Sequence, residues 1–207
     1  MKKTMIAMFL GSFLLAGNAM AAEVASNQNA QVQHQDVKGD VTITDITPNM
    51  KVLLQIIAKN ITAFGTGPRD AKAMPLMVFF DPQCPYCKNL WSAASAPENK
   101  DIPIIWIPVG IVNELSMDQS AAILQSEDAE KTMNQHEADI ATGGKGLIVD
   151  KQKLDKQALI NAQKNTLLFG KMNLDSVPII LHVTKDGKLL IKKGDVDIQG
   201  VKALYER

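Results

Sequence analysis

The only two cysteines of the chain, Cys84 and Cys87, are separated by two residues in the sequence FFDPQCPYCK. An apolar run precedes them, as expected of a buried strand, and Pro85 suits the first position of a helix. At a helix N-terminus, free backbone N–H groups and the helix dipole stabilise a thiolate, which is the nucleophilic form of sulfur. Cys87 lies one turn later and can approach Cys84 to close a disulfide. The pattern predicts a redox centre.

A zinc site and a purely structural disulfide are the alternatives for this pair. Zinc needs further ligands, but the chain has no second cysteine pair, and His34, His136 and His182 show no ligand spacing. A disulfide that closes a two-residue loop removes little chain entropy and so stabilises little. The redox interpretation is therefore favoured. It needs no metal or other cofactor, because the two cysteines themselves exchange electrons.

The first 21 residues have the pattern of a cleaved secretory signal. Lys2 and Lys3 precede an apolar core from Met5 to Ala16, and the small residues Ala19 and Ala21 fit the cleavage rule. The apolar run has about a dozen residues, short of the roughly 20 that span a bilayer. We expect cleavage after Ala21 and export to an envelope compartment where disulfides persist. A retained, membrane-tethered start is the weaker alternative, because no charge pattern supports it.

The charge balance argues against nucleic acid as a partner. Cleavage would remove two of the 22 basic residues and leave 22 acidic ones, so the formal charge of the mature chain is −2. The sequence contains no basic stripe with interleaved aromatic residues. About 186 residues would remain, which corresponds to one domain of ordinary size with a small appendage.

Strand and helix patterns alternate along the rest of the chain. We expect strands over 41–46, 61–64, 75–81, 102–109, 179–183 and 189–191, and helices over 49–60, from 85 to near 97, from 116, from 128 to 140, over 153–169 and over 198–207. The strand, helix and strand around the cysteines predict a right-handed βαβ unit with parallel strands. Cys84 then falls at the carboxyl end of a strand, where catalytic groups of α/β proteins lie.

These elements and the cysteine motif together resemble the thioredoxin fold, an α/β class. The segments Phe80–Lys88, Ile107–Gly110 and Ala121–Leu124 are similar to those of the bacterial periplasmic thiol:disulfide interchange proteins of the DsbC and DsbG type. The Pro85-Tyr86 dipeptide between the cysteines is closer to DsbG than to DsbC. The resemblance covers about residues 61 to 207, and it implies a periplasmic disulfide isomerase or reductase.

The resemblance also implies roles for individual residues. Cys84 would be the exposed nucleophile that attacks substrate disulfides, and Cys87 the cysteine that resolves the mixed disulfide. Val177-Pro178 occupies the place of the family's cis-proline, whose backbone pairs with an extended substrate. The isomerases usually have Thr before this proline. Val177 is closer to the oxidase relative of the same fold, so a dithiol oxidase that donates its disulfide stays open.

The residue patterns and the resemblance together predict a domain organisation. They give a signal peptide over 1–21, a short N-terminal segment of one strand and a linker helix over 22–60, and a thioredoxin-fold catalytic domain over 61–207 with a helical insertion at about 116–170. We expect the family's N-terminal dimerisation domain to be much reduced in this chain. A homodimer contact could therefore be smaller, swapped or absent.

The implied partners are disulfide-containing or misfolded envelope and secreted proteins, with a membrane thiol reductase as electron donor. For an oxidase, the partner would be a membrane oxidase instead. Two further alternatives stay open, a chaperone-like binding module in which the cysteines are incidental and the reduction of oxidised single cysteines.

Four other residues have simpler interpretations. Asp81 lies three residues before Cys84, where an influence on its proton transfer stays open, but the favoured expectation is a solvent-exposed residue at a strand end, because carboxylates are mostly exposed. His182 falls within a predicted strand and is interpreted as structural. Trp91 and Trp106 are expected in the core or lining a groove, because aromatic side chains mostly contribute buried area.

Overall fold

The computed structural model describes residues 41–45, 48–70 and 74–207. Its strands are β1 (Val41–Asp45), β2 (Phe64–Thr66), β3 (Leu76–Phe80), β4 (Ile104–Pro108), β5 (Ile179–Val183) and β6 (Lys188–Lys193). Its helices are α1 (Pro48–Asn60), α2 (Pro85–Ala94), α3 (Ser116–Gln125), α4 (Ala129–Ala141), α5 (Lys156–Lys171) and α6 (Ile198–Tyr205), with a 3-10 turn over Pro97–Asn99. The predicted signal peptide, its cleavage after Ala21 and residues 22–40 lie outside the described residues.

The strands form one mixed sheet in the order β1-β6-β5-β3-β4-β2. β3 and β4 are parallel and are joined through α2, whereas the other described neighbours pair antiparallel. The sequence therefore predicted the strand, helix and strand around the cysteines correctly. Because β3 lies in the interior of the sheet between β4 and β5, the chain segment that follows it is held by neighbours on both sides.

Alternate side chains of the strands fill two cores, one on each face of the sheet. In β3, Leu76, Val78 and Phe80 point into one core, and Met77 and Phe79 into the other. The first core is completed mainly by α2 and α6, and the second by residues of α1 and α5. All five residues of β3 are buried, which is why its sequence is a continuous apolar run.

Three helices occupy the predicted insertion between β4 and β5. Asp128 caps α4 by accepting a hydrogen bond from the Lys131 N–H, and Asp155 caps α5 by accepting one from the Gln157 N–H. Ala121 of α3 packs on Ala158 and Ala162 of α5, so small side chains let these helices approach closely. No helix within the described ranges has the length and apolarity needed to cross a membrane.

The N-terminal boundary of the fold differs from the expected one. We expected residues 22–60 to precede the catalytic domain, but β1 pairs with β6 over its whole length and forms an edge of the same sheet. In α1, Ile57 is buried in the second core. Residues 41–60 are thus part of the domain, because a lone strand and an amphipathic helix need partners for their apolar faces.

Two predicted element boundaries also shift. The short strand expected over 61–64 is β2 at Phe64–Thr66, where it pairs with β4. The helix expected from Lys153 begins at Lys156, since Asp155 is its N-cap. The first shift follows from pairing with another strand, which sequence periodicity does not report, and the second from the local cap of the helix.

Candidate active site

The cysteine pair lies at the junction of β3 and α2. Cys84 is the residue that precedes α2, with extended backbone (φ −88°, ψ 120°), and Pro85 occupies the first turn of the helix. No side chain caps this N-terminus. The backbone N–H groups of the first turn therefore remain available to the Cys84 sulfur, as the sequence predicted.

Both cysteines are free thiols in this structure and both are largely buried. Cys84 is 6% exposed and Cys87 is 2% exposed. The expectation of an exposed Cys84 is therefore wrong for this reduced form. The cause is the segment before β5, since the Cys84 thiol donates a hydrogen bond to the Val177 carbonyl oxygen at 3.4 Å.

Hydrogen bonds to the Cys84 sulfur lower the pKa of this thiol from 9.0 to about 7. The largest contribution comes from the Cys87 thiol, and the backbone N–H groups of Cys87 and Tyr86 add to it. Burial and the negative charge of Asp81 act in the opposite direction. At neutral pH a large fraction of Cys84 is thus a thiolate, the form that attacks disulfides.

The pKa of Cys87 is shifted the other way, far above the usual range. Burial is the main cause, and Cys84 adds to it both as a hydrogen-bond partner and through its charge. One sulfur of the pair therefore ionises readily while the other keeps its proton. This asymmetry is what a nucleophile and a resolving thiol require.

The other sequence-predicted site residues also lie at this junction. The Val177–Pro178 peptide bond is cis, the form that the resemblance implies. Pro178 is buried and its carbonyl oxygen accepts a hydrogen bond from the Gly194 N–H at 2.9 Å, whereas Val177 is half-buried. Tyr86 is 59% exposed and stands at the outer side of the cysteine turn.

Asp81 was expected at the surface but is completely buried. Its Oδ1 accepts a hydrogen bond from the Gln83 N–H at 2.8 Å. Its Oδ2 accepts two more, from the N–H groups of Ile111 at 2.7 Å and Val112 at 2.9 Å. The carboxylate thereby ties the turn before Cys84 to the loop after β4, and its charge raises the pKa of both cysteines.

Gln119 of α3 connects the cysteine turn with the loop after α4. Its side chain accepts a hydrogen bond from Gln83 Nε2 at 2.7 Å. It also donates to the carbonyl oxygens of Lys145 at 2.8 Å and Leu147 at 3.0 Å. Gln83 Nε2 itself reaches the same Lys145 oxygen at 2.9 Å. Gln119 itself is almost fully buried, whereas Gln83 is half-buried and its hydrogen bond to Lys145 is exposed.

His136 of α4 holds the same turn from another side. The Leu147 N–H donates to His136 Nδ1 at 3.1 Å, so the proton of the ring is on Nε2, which donates to the Pro82 carbonyl oxygen at 2.7 Å. Burial lowers the pKa of this imidazole. At Gly146 a side chain would collide with the ring, and the backbone there has φ +78°. The neutral His136 ring is therefore enclosed between the turn at Pro82 and the loop at Gly146 and Leu147.

The sequence interpretation missed Gln119, His136 and Glu137, although one signal was present. In α4, His136 and Glu137 follow Met133 at the spacing of the buried face, and all three are buried. Two polar residues where apolar ones are expected mark a site, because a buried polar group needs a specific partner.

The residues interpreted as structural are buried. Trp91 and Trp106 pack against each other with ring centroids 4.8 Å apart, and each indole N–H has a hydrogen-bond acceptor, Asn134 Oδ1 and Thr66 Oγ1 respectively. His182 lies in β5 against the Tyr205 ring at 5.9 Å. Within the described part of the chain, no three His, Cys, Asp or Glu side chains are grouped so that they could hold a metal ion.

An α/β sheet with a cysteine pair at the start of a helix and a cis-proline beside it defines the thioredoxin-like class. A family model described as a thioredoxin-like domain matches residues 69–207, which is more than half of the chain, and the chain belongs to this family.

Two curated relatives are thiol:disulfide interchange proteins named DsbG. The Escherichia coli protein is 30% identical over 124 residues, which are 59% of this chain and 48% of the relative. The Pseudomonas aeruginosa protein is 31% identical over 129 residues, 62% of this chain and 49% of the relative. The chain thus spans about half the length of the curated relatives it matches.

Solved structures agree on the fold. The catalytic domain of Proteus mirabilis ScsC superposes with a TM-score of 0.56 at 22% identity, over 73% of this chain and 96% of that one. A periplasmic thioredoxin-like protein from Salmonella enterica serovar Typhimurium superposes with a TM-score of 0.52 at 15% identity, over 79% of this chain and 97% of that one. The predicted thioredoxin fold is therefore confirmed.

Proposed function

We propose that this protein is a periplasmic thiol–disulfide oxidoreductase that isomerises or reduces disulfides of envelope or secreted proteins through Cys84. The observation that carries the proposal is the opposite shift of the two sulfurs, with the pKa of Cys84 lowered to about 7 and that of Cys87 raised. The similarity to DsbG and the family membership support the same reaction class.

The reaction begins with attack of the Cys84 thiolate on one sulfur of a substrate disulfide. A Cys84–substrate bond forms, the substrate S–S bond breaks, and the released sulfur takes the electron pair and a proton. If a substrate thiolate then attacks the mixed disulfide, the substrate is rearranged and the protein is regenerated. If Cys87 loses its proton and attacks Cys84 instead, the substrate leaves with two thiols and the protein carries the disulfide.

The cis-proline segment gives a substrate a place to bind. An extended substrate would pair with the backbone at Val177 and Pro178. The Val177 carbonyl oxygen lies 3.4 Å from the Cys84 sulfur, so a substrate bound there is held next to the attacking atom. Tyr86 offers an exposed aromatic face at the same edge. A membrane thiol reductase would return electrons to the oxidised pair, and no further cofactor is required.

Exchange assays of single-cysteine variants test this reaction. We expect Cys84→Ser to lose all exchange with a disulfide-containing protein and Cys87→Ser to accumulate mixed disulfides that a reductant releases. Trapping through Cys87 in the Cys84→Ser variant would reverse the assignment. Prevention of aggregation that persists without both cysteines, together with no exchange by the wild type, would favour a chaperone-like binding module.

A dithiol oxidase is the second candidate, and Val177 favours it, because valine before this proline is closer to the oxidase relative of the same fold than the threonine that the isomerases usually have. The redox state in cells separates the two. Cells would be quenched in acid and their free thiols tagged, so that the tag counts how many of Cys84 and Cys87 are reduced. A mostly reduced pair supports isomerase or reductase activity, and a mostly oxidised pair supports the oxidase.

A further inference from the structure

Gln83 is the residue immediately before Cys84, and its side-chain amide is bound to three other segments of the chain. Its Nε2 donates to Gln119 Oε1 at 2.7 Å and to the Lys145 carbonyl oxygen at 2.9 Å. Its Oε1 accepts a hydrogen bond from Asn113 Nδ2 at 3.1 Å. Both amide protons are therefore in use, which gives this half-buried side chain one defined orientation.

The three partners of this amide are themselves connected. Asn113 lies in the loop after β4, and its Oδ1 accepts from the Leu115 N–H at 2.9 Å, just before α3. Gln119 lies in α3, and its Nε2 donates at 2.8 Å to the same Lys145 carbonyl oxygen, in the loop after α4. The Gln83 side chain is thus bound to a connected group of segments.

The backbone of the cysteine turn is held as well. The Cys84 N–H donates to the Asp81 carbonyl oxygen at 3.0 Å, and the Gln83 N–H donates to Asp81 Oδ1 at 2.8 Å. The Pro82 carbonyl oxygen is bonded to His136 Nε2 at 2.7 Å. The two inner residues of the turn, Pro82 and Gln83, are therefore both bound to the helical insertion. Together they fix the direction in which the Cys84 side chain leaves the backbone.

The direction of the Cys84 side chain decides which groups its sulfur can reach. The backbone N–H groups of Tyr86 and Cys87 are hydrogen-bond donors to the sulfur, which lies 3.4 Å from the Val177 carbonyl oxygen. Because hydrogen bonds weaken steeply as the distance lengthens or the angle closes, a displacement of about 1 Å would remove much of this stabilisation. The geometry of the turn therefore matters for the reactivity of the thiol.

We propose that Gln83 is a positioning residue of the exchange reaction, whose side-chain amide holds the cysteine turn so that the Cys84 sulfur faces the first turn of α2. The inference rests on the proposed exchange at Cys84. In this role Gln83 acts through the backbone that it shares with Cys84 and not on the reacting atoms. The helical insertion thereby contributes to the reactivity of Cys84 through hydrogen bonds to the preceding residue.

Replacement of Gln83 by methionine keeps the length of the side chain and removes all three of its hydrogen bonds. The turn then samples other orientations, so the Cys84 thiolate spends less time beside its N–H donors. We expect the pKa of Cys84 to rise by roughly one half to one unit. At pH 6 fewer sulfurs are then ionised, but a thiolate of higher pKa is the better nucleophile, so attack on a disulfide slows by only about two- to fourfold.

The pH dependence of alkylation measures the effect on Cys84 without any disulfide substrate. Iodoacetamide forms a sulfur–carbon bond with the thiolate and releases iodide, so the rate follows the ionised fraction of Cys84. The reduced wild type and Gln83→Met are compared from about pH 5 to 9 with the control Gln163→Met, which alters an exposed glutamine of α5. We expect the midpoint to rise only in Gln83→Met. An unchanged midpoint in that variant would overturn the proposal.

The number of alkylated cysteines guards against a variant that does not fold. The pKa of Cys87 lies far above the usual range because the thiol is buried, so a folded protein takes up one group near neutral pH. An unfolded chain takes up two, because both thiols then have ordinary pKa values. Only a midpoint measured on protein with a single alkylated cysteine is compared.

A double-variant cycle with Gln119 tests whether Gln83 acts through its hydrogen bonds to the insertion. Gln119→Met removes the acceptor of Gln83 Nε2 and the second donor to the Lys145 carbonyl oxygen. If both residues position the sulfur through the same hydrogen bonds, the double variant shifts the midpoint by clearly less than the sum of the single shifts. Additive shifts would show that the two residues act independently and would overturn the proposal.

A further measurement uses the wild type alone. The two side-chain amide protons of Gln83 donate to Gln119 and Lys145, so their exchange with water in nitrogen-15 spectra should be slower than that of the exposed Gln163. Equal exchange at the two side chains would overturn the proposal even if every variant failed to fold. A wild type that is alkylated at Cys84 but does not exchange with a disulfide-containing protein would instead contradict the proposed function.

Discussion

His136 Nε2 donates a 2.7 Å hydrogen bond to the carbonyl oxygen of Pro82, two residues before Cys84. The histidine belongs to α4 of the helical insertion and the proline to the turn after β3. Gln119 of α3 adds a hydrogen bond to Gln83 in the same turn. Because His136 and Gln119 are buried, their hydrogen bonds hold the cysteine turn against the helical insertion.

Replacement of His136 by leucine removes both hydrogen bonds of the ring. The Pro82 carbonyl and the Leu147 N–H then lose their partners in a buried site, so we expect the free energy of unfolding to fall by about 2 to 3 kcal/mol. His136→Gln is the matched control, since its amide nitrogen can still donate to Pro82. Chemical denaturation of the reduced proteins measures the difference. Leucine and glutamine variants of equal stability would show that the hydrogen bond is unimportant.

Glu137 of α4 is buried, its Oε2 has no hydrogen-bond partner among the described residues, and this predicts a pH-dependent stability. Burial raises the pKa of its carboxyl from 4.5 to about 7, so the folded protein binds this proton more tightly than the unfolded chain. The stability of the reduced protein should therefore decrease as the pH rises from about 4.5 to about 7. The decrease is absent in Glu137→Gln.

The comparison of these two proteins is made at both ends of that pH range. Above pH 7 the glutamine variant should be the more stable by about 2 kcal/mol, and near pH 4 the two should be equal, since the wild-type carboxyl is then protonated in both states. Urea denaturation at both pH values measures this difference. A glutamine variant that is less stable above pH 7 would indicate that the carboxylate has a stabilising partner.

Asp81 is expected to have opposite effects on stability and on thiol reactivity. Its carboxylate accepts hydrogen bonds from the N–H groups of Gln83, Ile111 and Val112. In Asp81→Asn one of these donors faces an amide NH2 group, and we expect a loss of about 2 to 3 kcal/mol. The negative charge that raises the pKa of Cys84 disappears as well, so the thiolate fraction at neutral pH should rise.

Denaturation and the ultraviolet absorbance of the thiolate measure these two effects in the same sample. Asp101→Asn is the control, because Asp101 is exposed and distant in sequence from the cysteine turn. A stable Asp81→Asn variant with an unchanged Cys84 titration would mean that the carboxylate is not a determinant of this site.

The sequence predicted those parts of the site that depend on neighbouring residues. The apolar run of β3 and the proline after Cys84 are local signals, and they placed the sulfur at the end of a strand and the start of a helix. The burial of Asp81 was predicted wrongly, because two of its three hydrogen-bond partners lie 30 and 31 residues further along the chain. Likewise the contact between His136 and Pro82 joins residues 54 apart. Such pairings depend on how helices cross the sheet, which periodicity does not specify.

Val177 connects the cis-proline segment to the direction of the redox reaction. Its carbonyl oxygen accepts from Cys84 at 3.4 Å, but its side chain cannot donate a hydrogen bond. In Val177→Thr the new hydroxyl can donate to the Cys84 thiolate, and we expect the pKa of Cys84 to fall by roughly one half to one unit. A more stable thiolate favours the reduced protein, so equilibration with glutathione should show a stronger oxidant.

Val177→Ala is the control for this change, because it reduces the side chain without adding a donor. The thiolate absorbance of Cys84 against pH distinguishes the two variants. If threonine and alanine gave the same titration, the hydroxyl would not reach the sulfur and the α2 N-terminus with the Cys87 thiol would account for the pKa of Cys84. If threonine alone shifted it, residue 177 would be a determinant of whether this site accepts or donates a disulfide.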